Sequence, residues 1–200
     1  PDDPRRAAWS DSAPVVVFAG RAESVRGIDT LLEAFPAVRA TVPDARLRLL
    51  LIPRPELEPL VARARAMTSD DAVEVVTEPV GDLLDELAAA QVGVWPFKFD
   101  YTTSPPAMAV AEALSVGLPV VSTPVACVRA VLRDGDNGIA VPVGDAAALA
   151  AAVVGLLRDR ARWERFAQAG PVSTARLGWD AAAAATSRLY ELRAPAVPAR

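Results

Sequence analysis

The chain has 200 residues, of which 52% are hydrophobic and 23% are charged, and its formal net charge is −4 at pH 7. This length allows one large domain or two small ones with a substantial core. The slight acidity, without any block of basic residues, argues against nucleic acid as a partner.

The rare residue types exclude several kinds of chemistry. The chain has no histidine, so it lacks the most common general base and metal ligand. Its single cysteine, Cys127, excludes an intrachain disulfide and favours a reducing compartment, so we expect a cytoplasmic location. No apolar stretch approaches the ~20 residues of a transmembrane helix. Residues 1–13 lack the apolar core of a signal peptide and are interpreted as a linker.

Apolar segments rich in β-branched residues alternate along the chain with segments of helical character. The strand-like segments cover 14–20, 45–52, 72–77, 91–97, 118–123 and 138–142. The helical segments cover 28–41, 55–67, 82–90, 106–116, 126–132, 145–157, 158–170 and 177–195. Strands that are hydrophobic throughout and alternate with helices are typical of a parallel sheet covered on both faces. We therefore predict an α/β domain with about six parallel strands over 14–176, followed by a C-terminal helix and tail over 177–200.

Three aspartates and one proline set the expected limits of several helices. Asp82, Asp145 and Asp180 stand near the starts of predicted helices, where a side-chain oxygen can accept a hydrogen bond from a free backbone N–H. Pro36 lies inside the first predicted helix. Proline lacks the N–H of a helical hydrogen bond, so we expect a kink or a restart there.

Two arginines follow the first predicted strand. Gly20-Arg21 ends that strand, and Arg26-Gly27 opens the first predicted helix. Ligands of open α/β sheets bind at the carboxyl edge of the strands, where both guanidinium groups are expected. A guanidinium group stays charged and forms forked hydrogen bonds to phosphate oxygens, so the pair suits a pyrophosphate. The alternative is that both are ordinary surface arginines.

The segment after the fourth predicted strand supplies further candidates. A helix starts near Ser104, and the free N–H groups of Ala107, Met108 and Ala109 would suit a second phosphate contact. A plain helix that starts with proline is the equal alternative. Glu112 in this helix is suited to hold the hydroxyl groups of a ribose, and phosphates with a sugar diol describe a nucleotide sugar. Trp95 is expected in the core, whereas Lys98 and Asp100 are weaker polar candidates.

Two longer segments carry a resemblance to a known family. The segment VVVFAGRAESVRGIDTLLEAF (15–35) resembles the opening of the donor-binding domain of GT-B-fold glycosyltransferases of the retaining, glycogen-synthase-like kind, whose usual pattern is G-R-x4-K-G-x-D-x-L-L-x-A. The segment VAEALSVGLPVVSTPVACVRAVLRDGDNGIAVPVGDAAALAAAVVGLLRD (110–159) resembles the part of that family that carries the second glutamate of an E-x7-E motif. The resemblance implies a Rossmann-like three-layer sandwich that forms one half of a GT-B fold.

The resemblance also implies roles for individual residues. Arg21 and Arg26 would offset the charge that builds on the departing nucleotide diphosphate, without a metal ion or other cofactor, although Arg26 stands where the family usually has lysine. Glu112 matches the second glutamate of the motif, but Ser104 stands where the first, sugar-binding glutamate is expected. Pro79 and Val80 match a segment that lines the nucleobase. The residues IPRPELEP (52–59) depart from the glycine-rich turn that is usual there and suggest a stiffer loop.

The resemblance implies a hexosyl-type transfer from a nucleoside-diphosphate sugar such as a UDP or GDP sugar to an acceptor. The acceptor would bind to an N-terminal domain that these 200 residues do not resemble, and any contact with a membrane surface is expected through that domain. The isolated donor domain should be inactive. The residues leave two alternatives open. One is a non-catalytic binding or assembly domain related to the glycosyltransferases, and the other is a sugar-nucleotide epimerase of the same fold.

Overall fold

The computed structural model describes residues 6–11, 13–67 and 72–193. Its six strands are β1 (Val15–Arg21), β2 (Arg46–Ile52), β3 (Val73–Val76), β4 (Val92–Trp95), β5 (Val120–Ser122) and β6 (Gly138–Ala140). All pairings are parallel, and the order across the sheet is β3-β2-β1-β4-β5-β6. Each predicted strand is confirmed. The central strands β1, β4 and β5 are almost entirely buried, which fits a sheet that is covered on both faces.

Eight α-helices alternate with and follow the strands in the described part of the chain. They are α1 (Ile28–Thr41), α2 (Leu57–Met67), α3 (Leu83–Ala88), α4 (Met108–Ser115), α5 (Ala126–Arg129), α6 (Ala146–Arg158), α7 (Arg160–Thr174) and α8 (Trp179–Arg193). Helix α1 packs against α2 and α6, and helix α4 packs against α3 and α7. These two sets form the layers on either side of the sheet. No helix in the described ranges is both long and apolar enough to cross a membrane.

The core is apolar and continuous between the sheet and both helical layers. Its largest fully buried side chains include Trp95, Phe18, Phe35, Phe97 and Phe166. The indole nitrogen Nε1 of Trp95 donates a hydrogen bond of 2.8 Å to the carbonyl oxygen of Ala19, so the polar end of this buried ring is satisfied. The expectation that Trp95 belongs to the core is confirmed, and its indole fixes β4 against β1.

Helix limits agree with the expected caps in two of three cases. The side chain of Asp82 accepts a hydrogen bond from the Leu84 N–H, and that of Asp145 accepts one from the Ala148 N–H, both at 2.8 Å. Asp180 is not a cap, because α8 begins at Trp179 and the carbonyl oxygen of Gly178 already accepts from the Ala182 N–H.

Pro36 does not restart its helix. Helix α1 runs from Ile28 to Thr41 as one element, with Pro36 inside it. Pro36 itself is exposed, so its ring does not enter the core. Residues such as Leu31, Phe35 and Val38 meanwhile remain buried along the opposite side and hold the helix to the sheet.

Residues 6–11 lie along the amino edge of the sheet, opposite the edge at which parallel strands usually bind ligands. The Ala7 N–H donates to the Val116 carbonyl oxygen at 2.8 Å, and the Gln91 side chain donates to the Ala8 carbonyl oxygen at 3.3 Å. The rings of Trp9 and Trp163 meet edge to face with centroids 5.9 Å apart. These contacts close the amino edge of the domain.

Candidate functional site at the carboxyl edge

The order of the strands creates a crevice between β1 and β4. The chain leaves β1 towards β2 and β3 on one side and returns to place β4 on the other side of β1. The connections that follow β1 and β4 therefore lead to helices in opposite layers. Such a switch point is where open α/β sheets bind ligands. The residues around this crevice come from 21–27 after β1 and 96–107 after β4.

The two connections touch at Gly27. Its φ is +77°, and a Cβ atom added there would lie 1.9 Å from the carbonyl oxygen of Pro96. The carbonyl oxygen of Val25 also accepts hydrogen bonds from the Lys98 N–H, at 3.1 Å, and from the hydroxyl group of Thr102, at 3.3 Å. The two loops consequently form one unit, and glycine is the residue type that permits the contact.

Arg21 is the last residue of β1 and is exposed at this edge. Within the described part of the chain, its guanidinium group has no hydrogen bond or ion pair. Gly20 precedes it and lies beside the second arginine: a Cβ atom added at Gly20 would be 3.7 Å from Cδ of Arg26. That distance is an ordinary van der Waals contact, so Gly20 borders the stem of Arg26.

Arg26 is held on two sides. Its Nε lies 3.3 Å from Oε2 of Glu23, and its Cζ lies 5.8 Å from the centroid of the Phe97 ring. The Phe97 ring is buried. The backbone carbonyl oxygen of Phe97 accepts a hydrogen bond of 2.6 Å from the hydroxyl group of Thr123, which follows β5. Nε makes the one hydrogen bond of this guanidinium group within the described residues, so Nη1 and Nη2 remain free to donate.

The loop after β2 contributes charged side chains that were not predicted from the sequence as site residues. Nε of Arg54 lies 3.6 Å from Oε1 of Glu23, and Oε2 of Glu56 accepts a hydrogen bond of 2.7 Å from the Ser24 N–H. Glu23 consequently stands between two arginines, Arg26 and Arg54. The only sequence signal for this arrangement is that β1 and β2 were expected in one parallel sheet, which brings their carboxyl ends together.

Two weaker candidates are engaged in internal contacts. Nζ of Lys98 lies 2.5 Å from Oδ2 of Asp29, and Oδ1 of Asp100 accepts a hydrogen bond of 2.6 Å from the Ala126 N–H. The other oxygen of Asp29, Oδ1, is buried without a hydrogen-bond partner among the described residues. Lys98 and Asp100 therefore fix the loop after β4 to α1 and to α5.

The start of α4 differs in part from its expected arrangement. The helix begins at Met108, and the N–H of the buried Ala107 donates to the carbonyl oxygen of Cys127 at 3.0 Å. Its N–H is therefore used inside the protein and does not face a ligand. The N–H groups of Met108 and Ala109 have no acceptor within the described ranges, and Met108 is exposed. Ser104 is exposed in the preceding loop.

Glu112 lies in the second turn of α4 and is half-buried. Its carboxylate has no hydrogen bond or ion pair with any residue that the structure describes. Burial raises the pKa of this carboxyl group above its ordinary value, because partial removal from water disfavours the ionised form. A half-buried carboxylate without a protein partner has unused acceptor capacity for hydroxyl groups of a ligand.

We expect Glu112→Gln to stabilise the unliganded domain at neutral pH, with a rise in Tm of roughly 1–3 °C. Because the pKa of Glu112 is raised in the folded domain, protonated Glu112 contributes stability fully below the ordinary pKa of 4.5. This contribution is lost as the pH rises through the pKa of the folded domain. The difference in Tm between variant and wild type should therefore grow from pH 4.5 to pH 7. Thermal melts across this range, with the exposed Glu78→Gln as control, test this; a lower Tm for Glu112→Gln at pH 7 would contradict it.

Pro79 and Val80 lie in the loop after β3, at the same edge of the sheet but on the far side of β2 from Arg21. At the usual strand spacing, two strands correspond to about 10 Å. Pro79 is exposed, whereas Val80 is partly buried and packs against the core. The loop thus presents a small apolar surface at one end of the carboxyl edge.

Comparisons with known proteins agree with this fold. The family described as glycosyl transferases group 1 matches residues 13–159. The chain is 32% identical over 197 residues to a phosphatidyl-myo-inositol mannosyltransferase of Mycobacterium leprae, with 94% of this chain and 49% of that protein covered. It is 33% identical over 204 residues to a D-inositol 3-phosphate glycosyltransferase 2 of Catenulispora acidiphila, with 95% and 47% covered.

Among solved structures, sucrose-phosphate synthase from Thermosynechococcus elongatus superposes with a TM-score of 0.73 at 28% identity, over 91% of this chain and 45% of that one. The expected Rossmann-like domain of the GT-B kind is confirmed. The chain spans about half the length of these relatives. Because the family match covers more than half of its residues, this chain belongs to the group 1 glycosyl transferases.

Proposed function

We propose that this domain binds the nucleoside-diphosphate sugar from which a retaining glycosyltransferase transfers a hexosyl group. One observation carries the proposal: Arg21 and Arg26 present unpaired guanidinium N–H groups at the switch point between β1 and β4. Two fixed cations at this edge suit a diphosphate, whose oxygens accept forked hydrogen bonds from guanidinium groups. The free N–H groups of Met108 and Ala109 at the start of α4 would add contacts to the same anion.

The remaining candidates account for the other parts of such a ligand. We assign Glu112 to the ribose, because its carboxylate can accept hydrogen bonds from two adjacent hydroxyl groups. Pro79 and Val80 would pack against the nucleobase. Ser104 offers one hydroxyl group to the sugar in place of a carboxylate, and Gly20 would let the ligand approach the backbone beside Arg26. With two arginines to neutralise the diphosphate, binding requires no metal ion.

In the reaction, Arg21 and Arg26 would stabilise the negative charge that develops on the departing nucleotide diphosphate. Such stabilisation is effective where fixed cations act in a site that excludes water. The acceptor would come from a second, N-terminal domain of the complete protein. Helix α8 supports this arrangement, because Trp179, Leu189 and Tyr190 are 91%, 61% and 75% exposed on a helix whose residues 179–190 are all exposed. We propose that α8 packs against that domain, through which any contact with a membrane surface would also occur.

A second candidate function is a binding or assembly domain without catalysis. Ser104 favours it, because the position that would hold the sugar hydroxyl groups carries no charge. Both candidates require the nucleotide site, and they differ only in whether transfer follows binding.

Calorimetric titration of the domain with UDP, GDP and ADP tests the nucleotide site. We expect binding in roughly the micromolar to millimolar range, because half of the cleft is absent. Arg21→Ala should weaken it about 10- to 100-fold, since a charge-assisted hydrogen bond contributes about 1.5–3 kcal/mol. The matched control is Arg160→Ala, which removes an exposed arginine at the start of α7. Equal affinities of wild type and Arg21→Ala would refute the role of Arg21.

A further inference from the structure

We propose that Glu23 is a positioning residue for the phosphate-binding Arg26; this inference rests on the proposed nucleotide site. Glu23 holds Nε of Arg26 and thereby leaves both terminal nitrogens for the phosphate oxygens of the ligand. The arrangement differs from the lysine that is usual at this position, because the guanidinium group donates to Glu23 and to a ligand from separate nitrogens in one plane, whereas the three N–H donors of a lysine share one nitrogen.

The side chain of Arg26 is restricted by its surroundings. A guanidinium group carries five N–H donors in a fixed plane. Glu23 engages Nε at 3.3 Å, and the buried Phe97 ring lies against the group, with its centroid 5.8 Å from Cζ. The Arg26 side chain is only 12% exposed, so its conformation is restricted before any ligand arrives. Restricting a side chain in advance lowers the entropy that binding must remove.

The negative charge of Glu23 would by itself repel a phosphate. Both oxygens of its carboxylate face an arginine: Oε2 faces Arg26, and Oε1 faces Arg54 at 3.6 Å. Arg54 therefore offsets the negative charge that Glu23 brings into the site. Arg21, Arg26 and Arg54 outnumber Glu23, so these four side chains together carry a net positive charge that suits an anionic ligand.

The loop that carries Glu23 is held in place by its neighbours. The neighbouring Ser24 N–H is bound by Glu56 of the loop after β2, and Gly27 is in contact with Pro96 of the loop after β4. The segment between β1 and α1 is thus fixed at both ends by neighbouring loops. Glu23 can consequently act as a fixed acceptor for Arg26, which a carboxylate on a loose loop could not.

The test is titration of wild type, Glu23→Ala and Glu23→Gln with UDP, GDP and inorganic pyrophosphate, the last of which needs no nucleobase site. We expect Glu23→Ala to weaken binding about 3- to 10-fold, whereas Glu23→Gln should stay within about 2-fold of wild type, because its amide oxygen can still accept the Nε–H. Glu33→Ala, which removes an exposed carboxylate from α1, is the matched control and should leave binding unchanged. A double-mutant cycle distinguishes positioning of Arg26 from a general structural role of Glu23. In an Arg26→Ala background, Glu23→Ala should cause no further loss of affinity.

The outcomes distinguish a failure of the proposed nucleotide site from a failure of the proposed role of Glu23. If wild type binds none of the three probes, the proposed nucleotide site fails and the role of Glu23 fails with it. If wild type binds and Glu23→Ala binds equally or more tightly, Glu23 does not assist binding and only the positioning role is overturned. Equal weakening by Glu23→Ala and Glu23→Gln, or an undiminished effect in the Arg26→Ala background, would overturn it as well.

Discussion

Gly27→Ala should destabilise the domain by at least about 3 kcal/mol. Two costs add at this position. The φ of +77° is unfavourable for any residue with a Cβ atom, and that atom would lie 1.9 Å from the carbonyl oxygen of Pro96. Because the clashing atom belongs to the backbone of Pro96, the clash can be removed only if the loops after β1 and β4 move apart. Urea denaturation measures the change in the free energy of unfolding.

Gly144→Ala is the matched control for this prediction. Its φ is +75°, but nothing lies within 4 Å of an added Cβ atom, so it has the backbone cost alone. We expect it to lose about 1–2 kcal/mol. The difference between the two variants isolates the contact between the loops. If both variants lost the same free energy of unfolding, the loops would not be held together at Gly27.

Arg26→Ala should lower the kcat of the complete protein about 10²–10³-fold. The complete protein here means this domain joined to the proposed acceptor-binding domain. The reason is that Arg26 is proposed to stabilise charge that is largest in the transition state, so its loss acts on the chemical step as well as on binding. Steady-state transfer assays from the tightest-binding nucleotide sugar measure it, with Arg160→Ala as control. An unchanged kcat would show that Arg26 contributes to binding alone.

Ser104→Glu distinguishes a transferase from a binding domain in the same assay. The isolated domain should transfer no sugar, with or without a divalent metal ion, because the second wall of the cleft is missing. If the complete protein is also inactive and Ser104→Glu restores transfer, the missing carboxylate had silenced the site. Transfer by the isolated domain would contradict the proposal that it is half of an enzyme.

The sheet and much of its edge could be predicted because the signals are local. Continuous runs such as the one ending at Gly20 identify buried strands, and a parallel sheet places the residues that follow them at one edge. Arg21 could therefore be placed at the end of β1 from the sequence alone. The uninterrupted helix through Pro36 could not, because it depends on which side of α1 faces solvent.

The details of the site could not be predicted because they depend on which loops become neighbours. Glu23 and Arg54 are far apart in sequence and meet only because β2 pairs with β1. The N–H of Ala107 is expected to be free from the sequence, but the first turn of α5 places the carbonyl oxygen of Cys127 against it. Asp29 likewise finds Lys98 through the switch in strand order between β1 and β4.

Mapping the nucleotide on the domain by NMR tests the central proposal most directly. Titration of the ¹⁵N-labelled domain with UDP and GDP should shift the amide signals of 20–27, Val80 and 108–112, which lie in the carboxyl-edge loops and the adjoining α4. Signals at the amino edge, such as that of Gln91, should stay in place. The account would be contradicted if the shifts instead clustered around the pocket before β6 that is lined by Arg133, Asp136, Ser173 and Arg176, or if no signal moved at saturating nucleotide.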